Sequence, residues 1–422
     1  MPLPGTTNMS ESSTAKRTRG AAQLNLRRRL LFRTLAIAVG AAFAFFAAEI
    51  SFRLMGVGMP SLYTPDHFCG SRLRPATSGV WTREGHGKII INAKGFRGPE
   101  ISDEKAAGVF RIAILGDSYI EGLQVDEDAT ICFQIQQLLN KKNSVPNRKY
   151  EVVNCGVSGY GTAQELQMLR HHVLQLQPDV VMVGVYPEND VRNNLRSLEG
   201  DPARPYFTLD DDGTPILDDS FRSSVPYVTA ASTYERRKAF VINCSRVLQM
   251  LKQTKQRVFN SDSKTLPKVP VASTLKASVE DAIYVYAEPT DSAHQEAWEL
   301  TQRLLEKLCD ECHAEQIPVF VFTVSSPVQV YPDPELRRNI ATENVISDFF
   351  YSEQRIQAVC SSAGAHFYPL ASALQEVAES SGNPLHGFPN SGMGIGHWNE
   401  RGHRTAAQIL TSWLAQDDQF KP

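Results

Sequence analysis

Short apolar segments alternate with amphipathic segments over most of the chain after residue 109. The run "FRIAILGD" ends in a polar turn, and residues 131–139 then place apolar side chains at helical spacing. The same order recurs at "EVVNCGV" and at "DVVMVGVY", which is apolar on both faces, as a central parallel strand must be. It resumes with a helical pattern over about 292–315, the run "PVFVFTV", a helical pattern near 347–363, the run "AHFYPL" and a last helix after His397. The alternation predicts an α/β fold with a doubly wound, flavodoxin-like parallel sheet and helices on both faces.

Two segments fall outside this alternation. Between about residues 191 and 290 it stops, and the stretch "YFTLDDDGTPIL" predicts a hairpin turn at Asp212-Gly213. Residues 58–108 contain glycine, proline and short β-like runs such as "KIIINAKGFRG". We therefore predict a main domain over 109–417 with an insertion at about 191–290, and an N-terminal extension over 58–108 that packs on the main domain.

The N-terminal part of the chain is basic and then apolar. Before residue 34 it carries seven basic residues against Glu11: Lys16, Arg17, Arg19, Arg27, Arg28, Arg29 and Arg33. Thr34–Ala48 has no charge, and the apolar segment reaches about residue 57 if Glu49 and Arg53 lie near an interface where they can snorkel.

This pattern predicts a cytosolic basic tail over 1–33 and a transmembrane signal-anchor over 34–57 that contacts the lipid bilayer. The positive-inside rule then places the N-terminus in the cytoplasm and the main domain outside it, in the periplasm of a Gram-negative-type cell. A cleaved signal peptide and a buried helix of a soluble domain remain alternatives, because the uncharged core is shorter than the ~20 residues that a span usually needs.

Charge and cysteine content restrict the partners and cofactors. A net charge of -3 and a pI near 6.4 leave no basic stripe for counterion release, so nucleic acid is not an expected partner. Cys309-Asp310-Glu311-Cys312-His313 matches the C-x-x-C-H spacing of c-type haem attachment. It lies in a helical pattern, however, and burial of the cysteines as small apolar residues explains it without a cofactor. We predict no cofactor and no metal site, with haem as a minor alternative.

Polar stretches stand at the predicted carboxyl ends of the strands. They are "GDSYIEG", "NCGVSGYGT", "YPENDVRNN" and "GHWNERGH". Ligands of doubly wound sheets bind at this edge. The four stretches resemble, in order, the sequence blocks of the SGNH (GDSL-type) hydrolases, over about residues 90–415. The combination of "NAKGFRG" and "RIAILGDS" is similar to the membrane-anchored bacterial members of that family.

The resemblance implies a role for each matching residue. Ser118, in Gly116-Asp117-Ser118, would be the nucleophile, and His397 would be the base. The oxyanion hole would consist of the backbone N–H groups of Ser118 and Gly159 and the side chain of Asn189, with Asp117 and Asp190 in support. The family's Gly-x-Asn-Asp block is here Pro187-Glu188-Asn189-Asp190, so its glycine is replaced by proline.

The chemistry independently requires these residue types. A serine hydroxyl is a poor nucleophile until a base takes its proton, and the unperturbed pKa of histidine suits that task. The tetrahedral intermediate carries an oxyanion, and removing one donor to such an oxyanion typically costs roughly 10²- to 10³-fold in rate. Glycine at position 159 lets the backbone approach a ligand closely.

One residue of the family pattern is missing. The aspartate that orients the histidine normally lies two or three positions before it, where this chain has Ile395 and Gly394. The candidate orienters are a backbone carbonyl, Glu400, or a carboxylate from elsewhere in the chain such as Glu188. We expect an extracytoplasmic serine esterase acting on acyl esters, with O-acetyl groups of carbohydrate as first choice. An O-acyltransferase of an exported polysaccharide and an inactive polysaccharide-binding module remain alternatives.

Overall fold

The computed structural model describes residues 10–102, 104–142, 145, 147–259 and 270–420. In chain order, the strands are β1 (Tyr63–Asp66), β2 (Gly70–Leu73), β3 (Thr77–Trp81), β4 (Gly87–Ile91), β5 (Val109–Gly116), β6 (Lys149–Asn154), β7 (Val180–Val185), β8 (Tyr206–Leu209), β9 (Pro215–Asp218), β10 (Val319–Thr323), β11 (His366–Tyr368), β12 (His386–Phe388) and β13 (Gly392–Trp398).

The helices, in chain order, are α1 (Ser10–Leu54), α2 (Ser118–Glu121), α3 (Ile131–Lys142), α4 (Thr162–Met168), α5 (Pro187–Asn194), α6 (Arg196–Glu199), α7 (Val225–Ala231), α8 (Thr233–Cys244), α9 (Arg246–Phe259), α10 (Val271–Asp281), α11 (Ser292–Ala314), α12 (Pro334–Glu343), α13 (Tyr351–Ala363), α14 (Leu370–Ser381) and α15 (Glu400–Leu414).

The main domain is built on a five-stranded sheet in the order β11-β10-β7-β5-β6. Every neighbouring pair is parallel, with Ile112 opposite Val180 and Val181 opposite Val319. If β5, β6, β7, β10 and β11 are numbered one to five, the order from the β6 edge is 2-1-3-4-5, the flavodoxin-like order. The predicted doubly wound sheet is confirmed. Its switch point lies between β5 and β7.

Alternate side chains of the central strands enter two separate cores. Ala113 and Leu115 of β5 pack on one face with apolar residues of α4, α11 and α13, whereas Ile112 and Ile114 pack on the other with residues of α3, α14 and α15. This two-sided burial explains why the strand sequences are apolar throughout. The carboxyl edge of the sheet is left free for the polar stretches.

The N-terminal extension consists largely of two antiparallel hairpins, β1-β2 and β3-β4. Arg97, which follows them, is buried and donates to the carbonyl oxygens of Glu121 and Val125, both at 2.7 Å. His86, in the loop between β3 and β4, donates its backbone N–H to the carbonyl of Gln124 at 3.1 Å. The extension therefore contacts the segment that follows Ser118.

The insertion begins with the predicted hairpin, β8-β9, and continues with α7, α8, α9 and α10. Gly213 occupies its turn with φ of 77°. Helices α8 and α9 meet at Ser245, so the helical pattern of this region is divided in two. The insertion contacts the extension through α7 and β1, and it contacts α1 through α9.

Helix α1 is longer than the predicted anchor. It starts at Ser10, inside the predicted basic tail, and ends at Leu54 rather than at residue 57. The first nine residues of that tail lie outside the described residues. Among the described helices, Arg27–Leu54 is long and apolar enough to cross a bilayer, and none of it is buried. Glu49, the acidic residue of this segment, accepts the backbone N–H groups of Arg246 and Val247 at the start of α9.

The cysteines of the C-x-x-C-H match are buried core residues. Cys309 and Cys312 lie on α11 with no exposed surface, in the core that also contains Cys360. Burial raises the pKa of the Cys309 thiol to about 12. Their interpretation as small apolar side chains is confirmed.

Candidate active site

Ser118 is the first residue of α2, immediately after β5 at the switch point of the sheet. Asp117 caps this helix, because its Oδ1 accepts the backbone N–H of Tyr119 at 2.9 Å. Its Oδ2 accepts the Asn189 amide N–H at 2.6 Å. The strand-to-helix turn therefore positions the hydroxyl of Ser118 at the carboxyl edge of the sheet, and Asn189 is held beside it.

His397 lies on β13, the second strand of the β12-β13 hairpin. Its Nε2 is 2.8 Å from the Oγ of Ser118, which is hydrogen-bond distance. The ring of Tyr119 lies 4.9 Å from the imidazole, centroid to centroid, and restricts its orientation. The structure thus brings together the predicted nucleophile and base from positions 279 residues apart.

The carboxylate that orients His397 is Glu84. Its Oε2 lies 2.6 Å from Nδ1 of His397, and its Oε1 accepts the backbone N–H of His397 at 2.8 Å. Glu84 belongs to the loop between β3 and β4 in the N-terminal extension. Ser118, His397 and Glu84 form one hydrogen-bonded chain, the arrangement of a catalytic triad.

The two carboxylates considered from sequence are wrong as orienters. Glu400 is the exposed first residue of α15. The carboxylate of Glu188 is hydrogen-bonded to two tyrosines instead. It accepts the hydroxyl of Tyr186 at 2.6 Å and the hydroxyl of Tyr286. Sequence analysis missed Glu84 because it is 313 residues from His397 and belongs to no recognised motif.

The loop that carries Glu84 is held by the β12-β13 hairpin. Asn390 accepts the backbone N–H of Gly85 at 2.9 Å, and its amide donates to the Gly85 carbonyl at 2.9 Å. At position 396 only glycine fits, because a Cβ there would lie 2.1 Å from Oε1 of Glu84 and φ is 76°. The hairpin therefore positions both the base and its carboxylate.

Burial and mutual attraction set the protonation of this pair. Burial alone would lower the pKa of His397, but the hydrogen bond and charge of Glu84 outweigh it, and the net pKa is raised. Burial would raise the pKa of Glu84, but its bonds to His397 bring the net pKa below the usual value. Glu84 is thus ionised at neutral pH, and its charge favours the protonated form of His397.

Gly159, one of the predicted oxyanion donors, borders an open cleft. Gly159 has φ of 77°, and no atom lies within 4 Å of the position that a Cβ would occupy. Its carbonyl accepts the amide N–H of Asn193 at 3.0 Å, which fixes the loop. Asn189 donates one amide hydrogen to Asp117 and retains a second, since the amide nitrogen carries two. The roles of Ser118, Gly159 and Asn189 in an oxyanion hole stay predictions.

The proteins found to be similar to this chain are solved structures, and the similarity concerns the fold alone. No family model matches the chain, and no curated protein matches it. A solved acetyl xylan esterase, AlAXEase, is 13% identical with a TM-score of 0.35, over 72% of this chain and 99% of that one. A catalytic mutant of Axe2, an acetylxylan esterase from Geobacillus stearothermophilus, is 10% identical with a TM-score of 0.34, over 75% and 95%. TesA is 12% identical with a TM-score of 0.36, over 74% and 99%. These values assign no function to the chain.

Glu121 is a site residue that sequence analysis missed. It is fully buried at the end of α2, and its carboxylate accepts the backbone N–H of Ser158 at 2.7 Å and the hydroxyl of Tyr63 at 3.0 Å. Burial raises its pKa, although these hydrogen bonds oppose the shift. Because Ser158 precedes Gly159, Glu121 positions the loop that borders the cleft. Its place three residues after Ser118 was the available sequence clue.

The predicted supporting residue Asp190 belongs to a buried acidic cluster. One of its oxygens accepts the backbone N–H of Tyr186 at 2.7 Å, and the other has no hydrogen-bond partner among the described residues. Burial, and then the charge of Asp117, raise the pKa of the neighbouring Glu165 to about 8. Burial and Glu165 raise that of Asp190 as well. Asp190 therefore supports the turn before Asn189, and burial beside Glu165 favours the neutral form of its carboxyl group.

A further cluster of polar side chains, which the spacing of residues in the sequence did not predict, consists of Asp66, Cys69 and His172. Their potential ligand atoms all lie within 4.8 Å of one another. Asp66 already accepts the backbone N–H of Cys69 at 2.8 Å and faces Nε2 of His172 at 3.0 Å. Burial raises the pKa of the Cys69 thiol. These contacts engage the carboxylate of Asp66 within the cluster.

Proposed function

We propose that this protein is a membrane-anchored, extracytoplasmic serine esterase of the SGNH type. It acts on acyl esters, with O-acetyl groups of carbohydrate as the substrate class. The observation that carries the proposal is the hydrogen-bonded chain from Glu84 through His397 to Ser118, with distances of 2.6 and 2.8 Å.

Each residue of the chain has a defined task. His397 takes the proton of Ser118 while the oxygen attacks the ester carbonyl, and Glu84 stabilises the resulting imidazolium. The backbone N–H groups of Ser118 and Gly159 and the amide of Asn189 stabilise the oxyanion. His397 then donates the proton to the leaving alcohol. Water, activated by the same histidine, releases the acyl group and regenerates Ser118.

Two departures from the family pattern have structural explanations that favour catalysis over an inactive binding module. Glu84 supplies the carboxylate that the sequence around His397 lacks. Pro187 is the first residue of α5, a position that proline suits because its missing N–H has no helical partner there. Asn189 consequently keeps its place beside Asp117.

A cleft of about 420 Å³ borders Gly159. It is lined by apolar and polar residues of the extension, the main domain and the insertion, among them Tyr63, Tyr160 and Arg204, whereas Ser118 and His397 are not among its lining residues. An acyltransferase would use the same triad and pass the acyl group to a sugar hydroxyl instead of water. Assays with and without an acceptor sugar separate these two reactions.

Labelling with a fluorophosphonate probe tests the proposal on the full chain in detergent. We expect one adduct, on Ser118, that is absent from Ser118→Ala and much slower to form in His397→Ala. Ser361→Ala, which changes an exposed serine on α13, should label like the parent. Acetate release from acetylated sugars should be at the parental level in Ser361→Ala, much slower in His397→Ala and absent in Ser118→Ala. An unlabelled parent protein, under conditions that label a working serine esterase, would refute the proposal.

A further inference from the structure

Large apolar side chains are exposed on the three insertion helices α7, α8 and α9. Beyond α1 and the residue that follows it, eleven described large hydrophobic residues are exposed, and six of them lie in this stretch. The six are Val225, Val228, Tyr234, Phe240, Val241 and Leu251. Scattered single residues of this kind are ordinary on protein surfaces, whereas a concentration on adjoining helices marks an interaction surface.

This surface adjoins the end of the proposed membrane anchor. Glu49 of α1 accepts the hydroxyl of Ser245 at 2.8 Å and the backbone N–H of Arg246 at 3.0 Å, at the junction of α8 and α9. Arg53 donates to the carbonyl of Cys244 at 2.8 Å. Phe240 precedes Cys244 by four residues, a rise of about 6 Å along α8. The exposed side chain of Phe240 on α8 therefore lies close to the end of the apolar part of α1.

Positive charge is concentrated on the same side of α8. A groove of about 600 Å³ between α8 and the β1-β2 hairpin is lined by four arginines and bordered by Phe240. The arginines are Arg72, Arg74, Arg236 and Arg237. Burial lowers the pKa of Arg74, and the nearby positive charge of Arg236 lowers it further.

The carboxylate of Asp66 does not balance these charges. Among the described residues that line the groove it is the only acid, and it already faces His172. Glu235, on the same helix, is paired with Lys238 at 2.9 Å. The groove thus carries an excess of positive charge that suits an anionic group from outside the chain.

We propose that α7–α9 and the arginine groove form a lipid-facing surface that lies on the anionic phosphate headgroups of the bilayer crossed by α1. Exposed aromatic and aliphatic side chains next to arginines and lysines are the composition of helices that lie in a membrane interface. The surface would hold the main domain against the bilayer in one orientation. This inference rests on the membrane anchor in the proposed function.

Site-specific labelling of the full chain in lipid nanodiscs tests it. Cys244 is the exposed cysteine of the seven, so Cys244→Ser provides a background for single labels. An environment-sensitive dye is attached at Tyr234→Cys or Phe240→Cys, and nitroxide-bearing lipids serve as quenchers. Val345→Cys, a position that is 87% exposed between α12 and α13, is the matched control, and Phe43→Cys marks the apolar part of α1.

We expect the dyes at positions 234 and 240 to be quenched roughly threefold or more above the dye at 345, and less than the dye at 43. Replacing phosphatidylcholine by phosphatidylglycerol should increase quenching at 240. Arg236→Gln with Arg237→Gln should remove that increase. Circular dichroism of every variant, compared with the parent protein, shows that the domain has folded.

Three results would overturn the inference. If the dye at 43 is quenched and the dyes at 234 and 240 are not, the membrane anchor is supported and the lipid-facing surface is refuted. Absence of quenching at 43 removes the anchor and the surface together. If the dye at position 240 becomes shielded from water as the protein concentration rises, and does so without lipid, the surface binds a second copy of the chain. Esterase activity is measured separately, so its loss tests the proposed function alone.

Discussion

Replacing Glu84 by glutamine is the sharpest test of the active site. The change preserves the size of the side chain and removes its charge. It leaves His397 with a neutral partner at the 2.6 Å contact to Nδ1, and it allows an amide N–H to face the imidazole. The imidazolium that forms when Ser118 is deprotonated then loses its counter-charge, and the histidine can adopt the wrong tautomer.

The expected loss of kcat follows from the geometry. A hydrogen bond to a charged group contributes about 1.5–3 kcal/mol, which corresponds to about 10- to 150-fold in rate. The equivalent change in a serine protease cost about 10⁴-fold. The Glu84 and His397 side chains are 18% and 28% exposed, so solvent screens part of the interaction. We therefore expect kcat to fall by roughly 10²-fold, with about 10⁴-fold as the upper limit.

Hydrolysis of p-nitrophenyl acetate by the purified full chain measures this loss, with circular dichroism to confirm folding. KM should change little, because Glu84 is hydrogen-bonded to His397 and would act on the substrate only through that residue. Glu400→Gln is the matched control and should retain parental kcat, since Glu400 is exposed at the start of α15. If Glu84→Gln keeps kcat within about twofold, or if Glu400→Gln is the variant that loses it, the triad assignment is refuted.

Further predictions concern the surroundings of this triad. Gly396→Ala should lower kcat because its Cβ would displace Glu84, and kinetics with a thermal melt distinguish this effect from unfolding. The rate constant kcat/KM should rise with pH through an inflection above 6.5, the usual pKa of histidine, because the raised pKa of His397 keeps it protonated to higher pH. In Glu84→Gln that inflection should move to lower pH, and an unshifted profile would contradict the assignment. Glu121→Gln should destabilise the fold by about 1–3 kcal/mol in urea unfolding and lower kcat, because Ser158 or Tyr63 loses its acceptor.

Much of the fold could be predicted because it depends on local patterns. The apolar runs at β5, β6, β7 and β10 fall where their sequences predicted strands, and the 23-residue helix α11 matches its helical spacing. The short elements were harder. The β12-β13 hairpin, which carries His397, has glycines in place of an alternating apolar pattern, so no periodicity predicted it.

The sequence by itself determined the alternation of strands and helices, and it pointed to Ser118 in its strand-to-helix turn and to His397 near the C-terminus. Only the tertiary structure decided which carboxylate completes the site and how the charge at Glu49 is accommodated. Glu84 reaches His397 because a hairpin of the extension packs on the β12-β13 hairpin, and Glu49 is satisfied by the start of α9. Local sequence patterns report local backbone preference and burial. Contacts between segments distant in the chain depend on packing that brings them together, and such packing leaves no local pattern at either residue.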